Sequence, residues 1–116
     1  GKLLRIFVDE ADRAGNQPTY TAIVDFLRKR GIRGASVFRG IEGYGSRGHL
    51  HLSKIFAWVQ NMPILIEVVD DWENIEPLLP ELRALMHEGL LTVEAAEYLR
   101  VSRESGATNA TSATNV

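Results

Sequence analysis

The residues between Arg39 and His49 have the types and spacing that proteins use to bind phosphate. Four of these eleven residues are glycine and two are arginine. Glycine allows positive φ angles and lets a ligand approach the backbone closely. Consecutive N–H groups presented in this way form an anion-binding concavity, and arginine adds charge-assisted hydrogen bonds. The segment therefore predicts a phosphate-bearing ligand, held by Arg39, Gly40, Gly43, Tyr44, Gly45 and Arg47.

Two common phosphate-binding motifs do not fit this segment. A Walker loop ends in Gly-Lys-Ser or Gly-Lys-Thr and opens an apolar helix, and neither feature follows here. A Rossmann fingerprint reads Gly-x-Gly-x-x-Gly before a helix, whereas this chain reads Gly-x-x-Gly-x-Gly from Gly40. The simpler alternative is a hairpin tip in which glycine serves only the shape of the turn.

Two histidines, His49 and His51, flank Leu50 at the end of the same segment. In an extended chain, residues two apart point to the same side, so both imidazoles could contact one metal ion. A third ligand would come from Glu42, His87 or another subunit. The alternative is that both histidines are polar loop residues that contact a partner protein.

The elements that position these residues follow from the apolar periodicity. Strands are expected over residues 3–8, 34–39, 64–69 and 90–99, while residues 53–60 are ambiguous. The acidic residues that follow the first strand, Glu10 among them, are expected at a sheet end near the proposed site.

Two helices are expected between these strands. The first begins at Thr19, carries its apolar stripe through Phe26 and ends at Gly31. Asp70 and Glu73 have the spacing of a capping box, which predicts a short lead-in turn and then a main helix from about residue 78. The order βαββαβ predicts an α+β fold, a ferredoxin-like sandwich with a long insert between strands 2 and 3.

The second face of the expected sheet still carries apolar residues. Phe7 and Phe38 alternate with the core positions of their strands and so point away from the helices. An exposed apolar sheet face usually marks an association surface, and this pattern therefore predicts oligomerisation.

Composition narrows the class of protein. The chain has 116 residues, 45% of them hydrophobic and 24% charged, which is enough for one domain with its own core. We expect that domain over residues 1–103, followed by a disordered, low-complexity tail over residues 104–116. The net charge of −2 argues against a general nucleic-acid binder.

The expected location is the cytoplasm. Cysteine is absent, which excludes disulfides and thiolate metal sites and is compatible with the cytosol. No apolar stretch approaches the roughly 20 residues of a membrane span, and no signal-peptide core is visible at the start of the sequence, so we expect no direct membrane insertion.

Common catalytic arrangements are not recognisable in this chain. It has no evident Ser-His-Asp or Cys-His combination. An acylphosphatase-type enzyme is the rival interpretation, because such enzymes also hold phosphate in a loop with arginine; here the glycine segment follows the second strand and has no asparagine nearby. An RNA-binding sheet is a third possibility, but its paired basic and aromatic signature is missing. We expect a protein that is not an enzyme.

Five blocks of sequence, in order, resemble the PII signalling superfamily, and most of all its uncharacterised PII-like branch, a domain of unknown function. The blocks are Leu4-Arg5-Ile6-Phe7 with Asp9-Glu10-x-Asp12-Arg13, then Gly34-Ala35-Ser36-Val37, Arg39-Gly40-Ile41-x-Gly43-Tyr44-Gly45, Pro63-Ile64-Leu65-Ile66-Glu67-Val68-Val69-Asp70, and Leu79-Pro80-Glu81-Leu82 with Glu88-Gly89-Leu90.

This resemblance implies a homotrimer that binds adenine nucleotides in clefts between neighbouring subunits. It also implies a mobile T-loop at residues 43–58 that docks on a transporter, channel or enzyme. The element Gly43-Tyr44-Gly45 matches the Gly-Phe-Gly element at the base of that loop.

One phosphate-binding element of the family differs in this chain. Where PII proteins carry Gly-Asp-Gly-Lys, this chain reads His87-Glu88-Gly89-Leu90-Leu91, which lacks the lysine. A carboxylate beside a polyphosphate is unfavourable unless a metal or arginine intervenes. The resemblance places Gly89 at this element and Arg100 and Arg103 near the family's phosphate-binding arginines, although their spacing differs.

These departures leave several ligands open. A nucleotide with fewer phosphates, another nucleotide, or a nucleotide bound together with a divalent metal all fit. The alternative function is a metal-responsive or purely partner-binding trimer without nucleotide.

Overall fold

The computed structural model describes residues 1–44, 50–52 and 61–103, with only the backbone of 50–52. Within these ranges the strands are β1 (Lys2–Asp9), β2 (Arg13–Ala14), β3 (Gln17–Pro18), β4 (Ser36–Arg39), β5 (Glu42–Tyr44), β6 (Leu50–Leu52), β7 (Pro63–Asp70) and β8 (Leu90–Ala95). The helices are α1 (Thr19–Lys29), α2 (Trp72–Ile75), a 3-10 turn (Glu76–Leu78) and α3 (Leu79–Leu85).

Strands β4, β7, β1 and β8 form one antiparallel sheet in that order. Its two central strands alternate as their sequences predict. In β1 every second residue from Leu4 to Val8 is buried, and in β7 every second residue from Ile64 is buried. Because side chains in a strand alternate between faces, each central strand presents a mainly apolar face to the helices, with the buried Asp70 at the end of that face in β7.

Helix α1 covers that face with Ala22, Ile23 and Leu27, which are buried. The helix ends as predicted, because Gly31 takes a φ of 86° that favours glycine. The second helical segment has the predicted short lead-in, since α2 and the 3-10 turn precede α3. Its core residues are Ile75, Leu78 and Leu82.

The predicted ferredoxin-like α+β fold is confirmed: both helical segments lie on one face of a four-stranded antiparallel sheet. Some boundaries differ from the prediction. The second strand of the fold begins at Ser36, and β8 ends at Ala95. The ambiguous residues 53–60 and the tail, residues 104–116, lie outside the described residues.

The predicted capping box does not form. The N-cap of α2 is Asp71, and no side chain caps the helix. The carboxylate of Asp70, which is buried, accepts hydrogen bonds from the amide of Asp71 and from Nδ2 of Asn74. Asp70 is the last residue of β7 and lies one position too early, so its side chain satisfies a loop amide and a helix side chain.

Among the described residues, no helix is both long enough and apolar enough to cross a bilayer.

Candidate functional site

The base of the glycine segment lies where the chain leaves β4 and returns to β7. The amide of Gly40 donates a hydrogen bond of 2.7 Å to the carbonyl of Pro63. A Cβ on Gly40 would lie 2.7 Å from Cγ of Pro63, and one on Gly43 would lie 3.2 Å from the same atom. Glycine is needed at Gly40 for this close approach.

The sequence predicted that these two glycines would adopt positive φ angles and form an anion-binding concavity. The structure shows a different backbone geometry. Neither Gly40 nor Gly43 has a positive φ, and Gly43 lies in a regular ladder opposite His51. An anion-binding nest needs an alternation that includes left-handed residues. Gly40 and Gly43 therefore do not form such a nest in this conformation, and their contact with a ligand stays a prediction.

The Arg39 side chain is held by Glu10. Its Nε donates to both carboxylate oxygens of Glu10, at 3.0 Å each. Glu10 is more buried than its partner, with a side chain 17% exposed against 41% for Arg39. The amide of Met62 also donates to Oε1 of Glu10 at 3.3 Å, and the amide of Glu10 donates to the Met62 carbonyl at 2.9 Å. One carboxylate thus bridges the end of β4 and the residue just before β7.

Beyond the base, β5 and β6 form a two-stranded ribbon that the sequence did not predict. Tyr44 lies on β5 and is exposed, so its ring is accessible to a ligand. Only the backbone of His51 is described, in β6. The candidate ligand residues Gly45 and Arg47 and the candidate metal ligand His49 lie outside the described residues.

A second part of the candidate site surrounds Gly89, just before β8. A cleft of about 780 Å³ is lined there by Arg83, His87 and Glu88, among others. Gly89 has a φ of 150°, and a Cβ on it would lie 2.5 Å from the carbonyl oxygen of Phe7. Glycine is therefore required at this position by both its backbone angle and its neighbour.

The sheet places these two parts at the same end but at opposite edges. Arg39 ends β4 on one edge, and Leu90 begins β8 on the other, with β7 and β1 between them. Strands lie about 4.8 Å apart, so three intervals separate the two parts by about 14 Å. One chain therefore does not bring Arg39 and Gly89 into contact with the same phosphate group.

The structure does not bring Arg100 to either part. Its guanidinium lies 5.4 Å from the ring centroid of Tyr98, and Tyr98 donates a hydrogen bond of 2.7 Å to Oδ1 of Asp71. Asp71 follows β7, at the end of the sheet opposite Arg39. Arg103 is exposed. Contact of either arginine with the ligand stays a prediction.

The hydrogen bond to Asp71 is the main cause that raises the pKa of Tyr98 above its ordinary value. Burial raises it further, and the nearby Arg100 acts in the opposite direction.

The sheet face opposite the helices carries a row of apolar side chains. Phe38, Leu65, Phe7 and Leu90 stand in register across all four strands. Phe7 is 37% exposed, Phe38 50% and Leu90 57%. A continuous apolar row of this kind on an uncovered sheet face is typical of an association surface.

An ion pair cluster lies next to that row on the same face. Arg5 donates from Nε to Glu67 at 2.9 Å and from Nη1 to Glu94 at 2.6 Å. The hydrogen bond to Glu67 is the first cause that raises the pKa of Arg5. The three residues occupy neighbouring strands, so both carboxylates are hydrogen-bonded to one guanidinium within the chain, and one negative charge stays in excess.

The sequence did not predict the contacts of two residues in the site. Glu10 was expected near the site but not as the partner of Arg39, and Arg83 was not expected there at all. Arg83 lies in the last turn of α3, where a cation is common because it interacts favourably with the helix dipole. The helix dipole by itself explains an arginine at this position, so the sequence contained no signal that Arg83 lines the cleft.

Among residues 1–44, 50–52 and 61–103, no cluster of three or more potential metal ligands is present. The proposed metal site at His49 and His51 falls largely outside these residues and stays untested.

Sequence comparison identifies relatives along nearly the whole described chain. The family model DUF190 (Uncharacterized ACR, COG1993) matches residues 1–98. A UPF0166 protein of Aquifex aeolicus (strain VF5) is 36% identical over 98 residues, which cover 84% of this chain and 92% of that protein. The UPF0166 protein MJ1524 of Methanocaldococcus jannaschii is 39% identical over 93 residues, covering 79% of this chain and 85% of that protein.

Solved structures of similar fold include CPII of Thiomonas intermedia K12, a nitrogen regulatory PII-like protein. Its complex with ADP, AMP and bicarbonate superposes with a TM-score of 0.61 at 20% identity, covering 87% of this chain and 94% of CPII. Its apo form gives a TM-score of 0.55 at 18% identity, with coverage of 80% and 85%. These similarities establish a shared PII-like fold.

Proposed function

The chain belongs to the DUF190 family and has a PII-like fold, and from this premise we propose that it is a trimeric cytoplasmic regulator that binds an adenine nucleotide between subunits. In this proposal the protein is a sensor and not an enzyme. Ligand binding changes the conformation of residues 43–58 and thereby alters docking on a target transporter, channel or enzyme.

The placement of the two site parts is the observation that carries the proposal. Arg39 and the cleft at Gly89 lie at the same end of the sheet but about 14 Å apart, on opposite edge strands. Between two copies of the chain, the β4 edge of one and the β8 edge of the other can face each other and complete one site. A ligand held in this way depends on the oligomer.

The apolar row on the open sheet face is the proposed contact between subunits. Phe7, Phe38 and Leu90 are exposed and lie in one row across the sheet, and exposed apolar side chains grouped in this way usually mark an interaction surface. The adjacent charges of Arg5, Glu67 and Glu94 are paired within the chain. A partner can therefore approach without leaving either carboxylate without a hydrogen bond, although the cluster keeps one negative charge in excess.

An adenine nucleotide is the proposed ligand because CPII, of the same fold, is described in complex with ADP and AMP. In this chain Arg39, with Arg47, would contact phosphate from the glycine segment, and Arg83 would approach it from the cleft at Gly89. The acidic Glu88 in that cleft disfavours a large negative charge. We therefore expect ADP or AMP to bind more tightly than ATP in the absence of divalent metal.

Isothermal titration with ADP, AMP, ATP and the corresponding guanine nucleotides tests the proposal, with cyclic mono- and dinucleotides included and with and without Mg²⁺. A nucleotide at 100 times its dissociation constant should also stabilise the protein by about 2.7 kcal/mol. Arg39→Gln should weaken binding. Arg33→Gln, an exposed arginine in the connection before β4, serves as the matched control and should bind normally. No binding by any nucleotide to the folded oligomer would overturn the nucleotide part of the proposal.

That negative outcome would favour the metal-responsive or partner-binding trimer. Its own test is thermal stabilisation by Zn²⁺, Ni²⁺ or Co²⁺ that is lost in the His49→Ala, His51→Ala double variant. Stabilisation that persists in this variant would exclude the histidine pair as the metal site.

A further inference from the structure

Glu10 is placed to compete with an anionic ligand for Arg39. The Nε atom of arginine carries one hydrogen, and here Nε shares it between the two carboxylate oxygens of Glu10, each 3.0 Å from Nε. A bidentate contact with phosphate through the Nε edge of the guanidinium needs the same hydrogen. Such a contact and the observed one therefore exclude each other.

The same carboxylate is bound to the backbone on the return side of the glycine segment. Met62, which is fully buried, donates its amide to Oε1 of Glu10. The amide of Glu10 also donates a hydrogen bond to the Met62 carbonyl, which holds these two segments of the chain together. Displacement of the carboxylate would thus deprive the Met62 amide of this acceptor while the bond to its carbonyl stays.

We propose that Glu10 is an internal competitor that occupies Arg39 until a phosphate-bearing ligand displaces it, so that ligand binding is coupled to the hydrogen bonding of Met62, just before β7. This inference rests on the proposed function in one respect, because it requires that Arg39 contact the ligand. Glu10 acts through Arg39 and is a positioning residue. It lowers the affinity of the site for anions, and its displacement by a ligand changes the hydrogen bonding of the Met62 amide.

The first experiment compares binding of inorganic pyrophosphate and of ADP to the wild type and to Glu10→Gln. Glutamine has nearly the same shape and still offers an acceptor to Met62, but it lacks the charge that holds Arg39. We expect Glu10→Gln to bind pyrophosphate about 5- to 30-fold more tightly, as loss of one competing charge-assisted contact implies. Equal affinity in the two proteins would overturn the inference.

Two controls separate competition for Arg39 from a general effect of negative charge. Glu10→Asp keeps the charge but is one methylene shorter, so it should also bind more tightly than the wild type. In an Arg39→Gln background, Glu10→Gln should bring no gain, because the group for which it competes is gone. A gain of the same size in that background, or wild-type affinity in Glu10→Asp, would show a through-space charge effect and contradict the inference.

The inference and the proposed function fail in different ways. Tighter pyrophosphate binding by Glu10→Gln together with no binding of ADP by any variant would support the competitor and overturn the nucleotide ligand. Binding of ADP that Glu10→Gln leaves unchanged would do the reverse. Absence of all anion binding would overturn both.

Hydrogen exchange tests the inference on the wild-type protein, without depending on whether a variant folds. Amide hydrogen exchange at Met62, followed by NMR, should accelerate several-fold when saturating ADP or pyrophosphate is added, because the Glu10 acceptor has moved away. Exchange at Ile66, in the centre of β7, should not accelerate, because ligand binding stabilises the fold as a whole, and it serves as the reference. Unchanged exchange at Met62 in the saturated protein would show that the carboxylate is not displaced.

Discussion

Gly40 donates its amide to the carbonyl of Pro63, so the chain leaves the central sheet and re-enters it at one point. The 2.7 Å bond is accompanied by a contact with the proline ring that leaves no room for a Cβ on Gly40. Arg39 and Met62, the neighbours of these two residues, are joined through Glu10. The base of the insert is therefore tightly packed at Gly40 and Pro63. It fixes the position of Arg39, whose side chain could bind phosphate.

The close approach at Gly40 predicts that Gly40→Ala lowers the free energy of unfolding by about 1–3 kcal/mol, the usual range for overpacking. The added Cβ would lie 2.7 Å from the ring of Pro63 and 3.3 Å from its carbonyl oxygen. Gly34→Ala is the control, because no atom beyond the adjacent residues lies within 4 Å of its Cβ position and its φ is not positive. It should change stability by less than about 0.5 kcal/mol. Urea unfolding measures both, and equal stabilities would contradict the tight packing at Pro63.

Gly89 has a positive φ, and a Cβ at this position would collide with the Phe7 carbonyl oxygen. Gly89→Ala should therefore lower the free energy of unfolding by about 3 kcal/mol or more. Gly15→Ala isolates the first effect. Gly15 has a φ of 67°, and no atom beyond the adjacent residues lies within 4 Å of its Cβ position. Its replacement should cost about 1 kcal/mol. The difference in unfolding free energy between the two variants reports the contact with the Phe7 carbonyl. Equal losses would mean that the backbone relaxes around the new methyl group.

The apolar row predicts that Phe38→Glu prevents formation of the proposed oligomer. Half of the Phe38 side chain is already exposed in the single chain, so the folded protomer tolerates the charge. In an interface the same carboxylate would be buried without a partner, which is strongly unfavourable. Sedimentation velocity should show the protomer mass for this variant. The control is Val101→Glu, which is exposed and lies beyond the sheet, and which should sediment as the wild type does. An intact Phe38→Glu oligomer would place the subunit contact elsewhere.

The bond between Tyr98 and Asp71 predicts a loss of stability at alkaline pH. The hydrogen bond to the Asp71 carboxylate raises the pKa of Tyr98 above its ordinary value, near 10. Because the folded state favours the protonated phenol, its contribution is fully present below the ordinary pKa. The contribution is lost as pH rises through the raised pKa of the folded state.

Tyr98→Phe removes this titration and provides the comparison. The difference in unfolding free energy between the wild type and Tyr98→Phe should be constant from pH 7 to about 9 and shrink above about 10. A difference that stays constant through pH 11 would show that the hydrogen bond does not bias the protonation of Tyr98.

The sequence by itself determined the ferredoxin-like fold and most of its core. The alternation in β1 and β7 and the stripe of α1 are local patterns, and each is repeated often enough to be read without tertiary information. The ends of these elements were less well determined. Asp70 had the right type and spacing for a cap, but its place as the last residue of a strand directs its carboxylate to other partners.

Only the tertiary structure decided how the site is built. The ribbons β2–β3 and β5–β6 have two or three residues a strand, too few to show any period. Glu10 and Arg39 are 29 residues apart, and Gly40 owes its packing to Pro63, on the far side of the insert. Contacts between residues so distant in the chain depend on the register of β1, β4 and β7. Sequence spacing identifies which residues can bind phosphate, whereas the sheet register determines which carboxylate holds them.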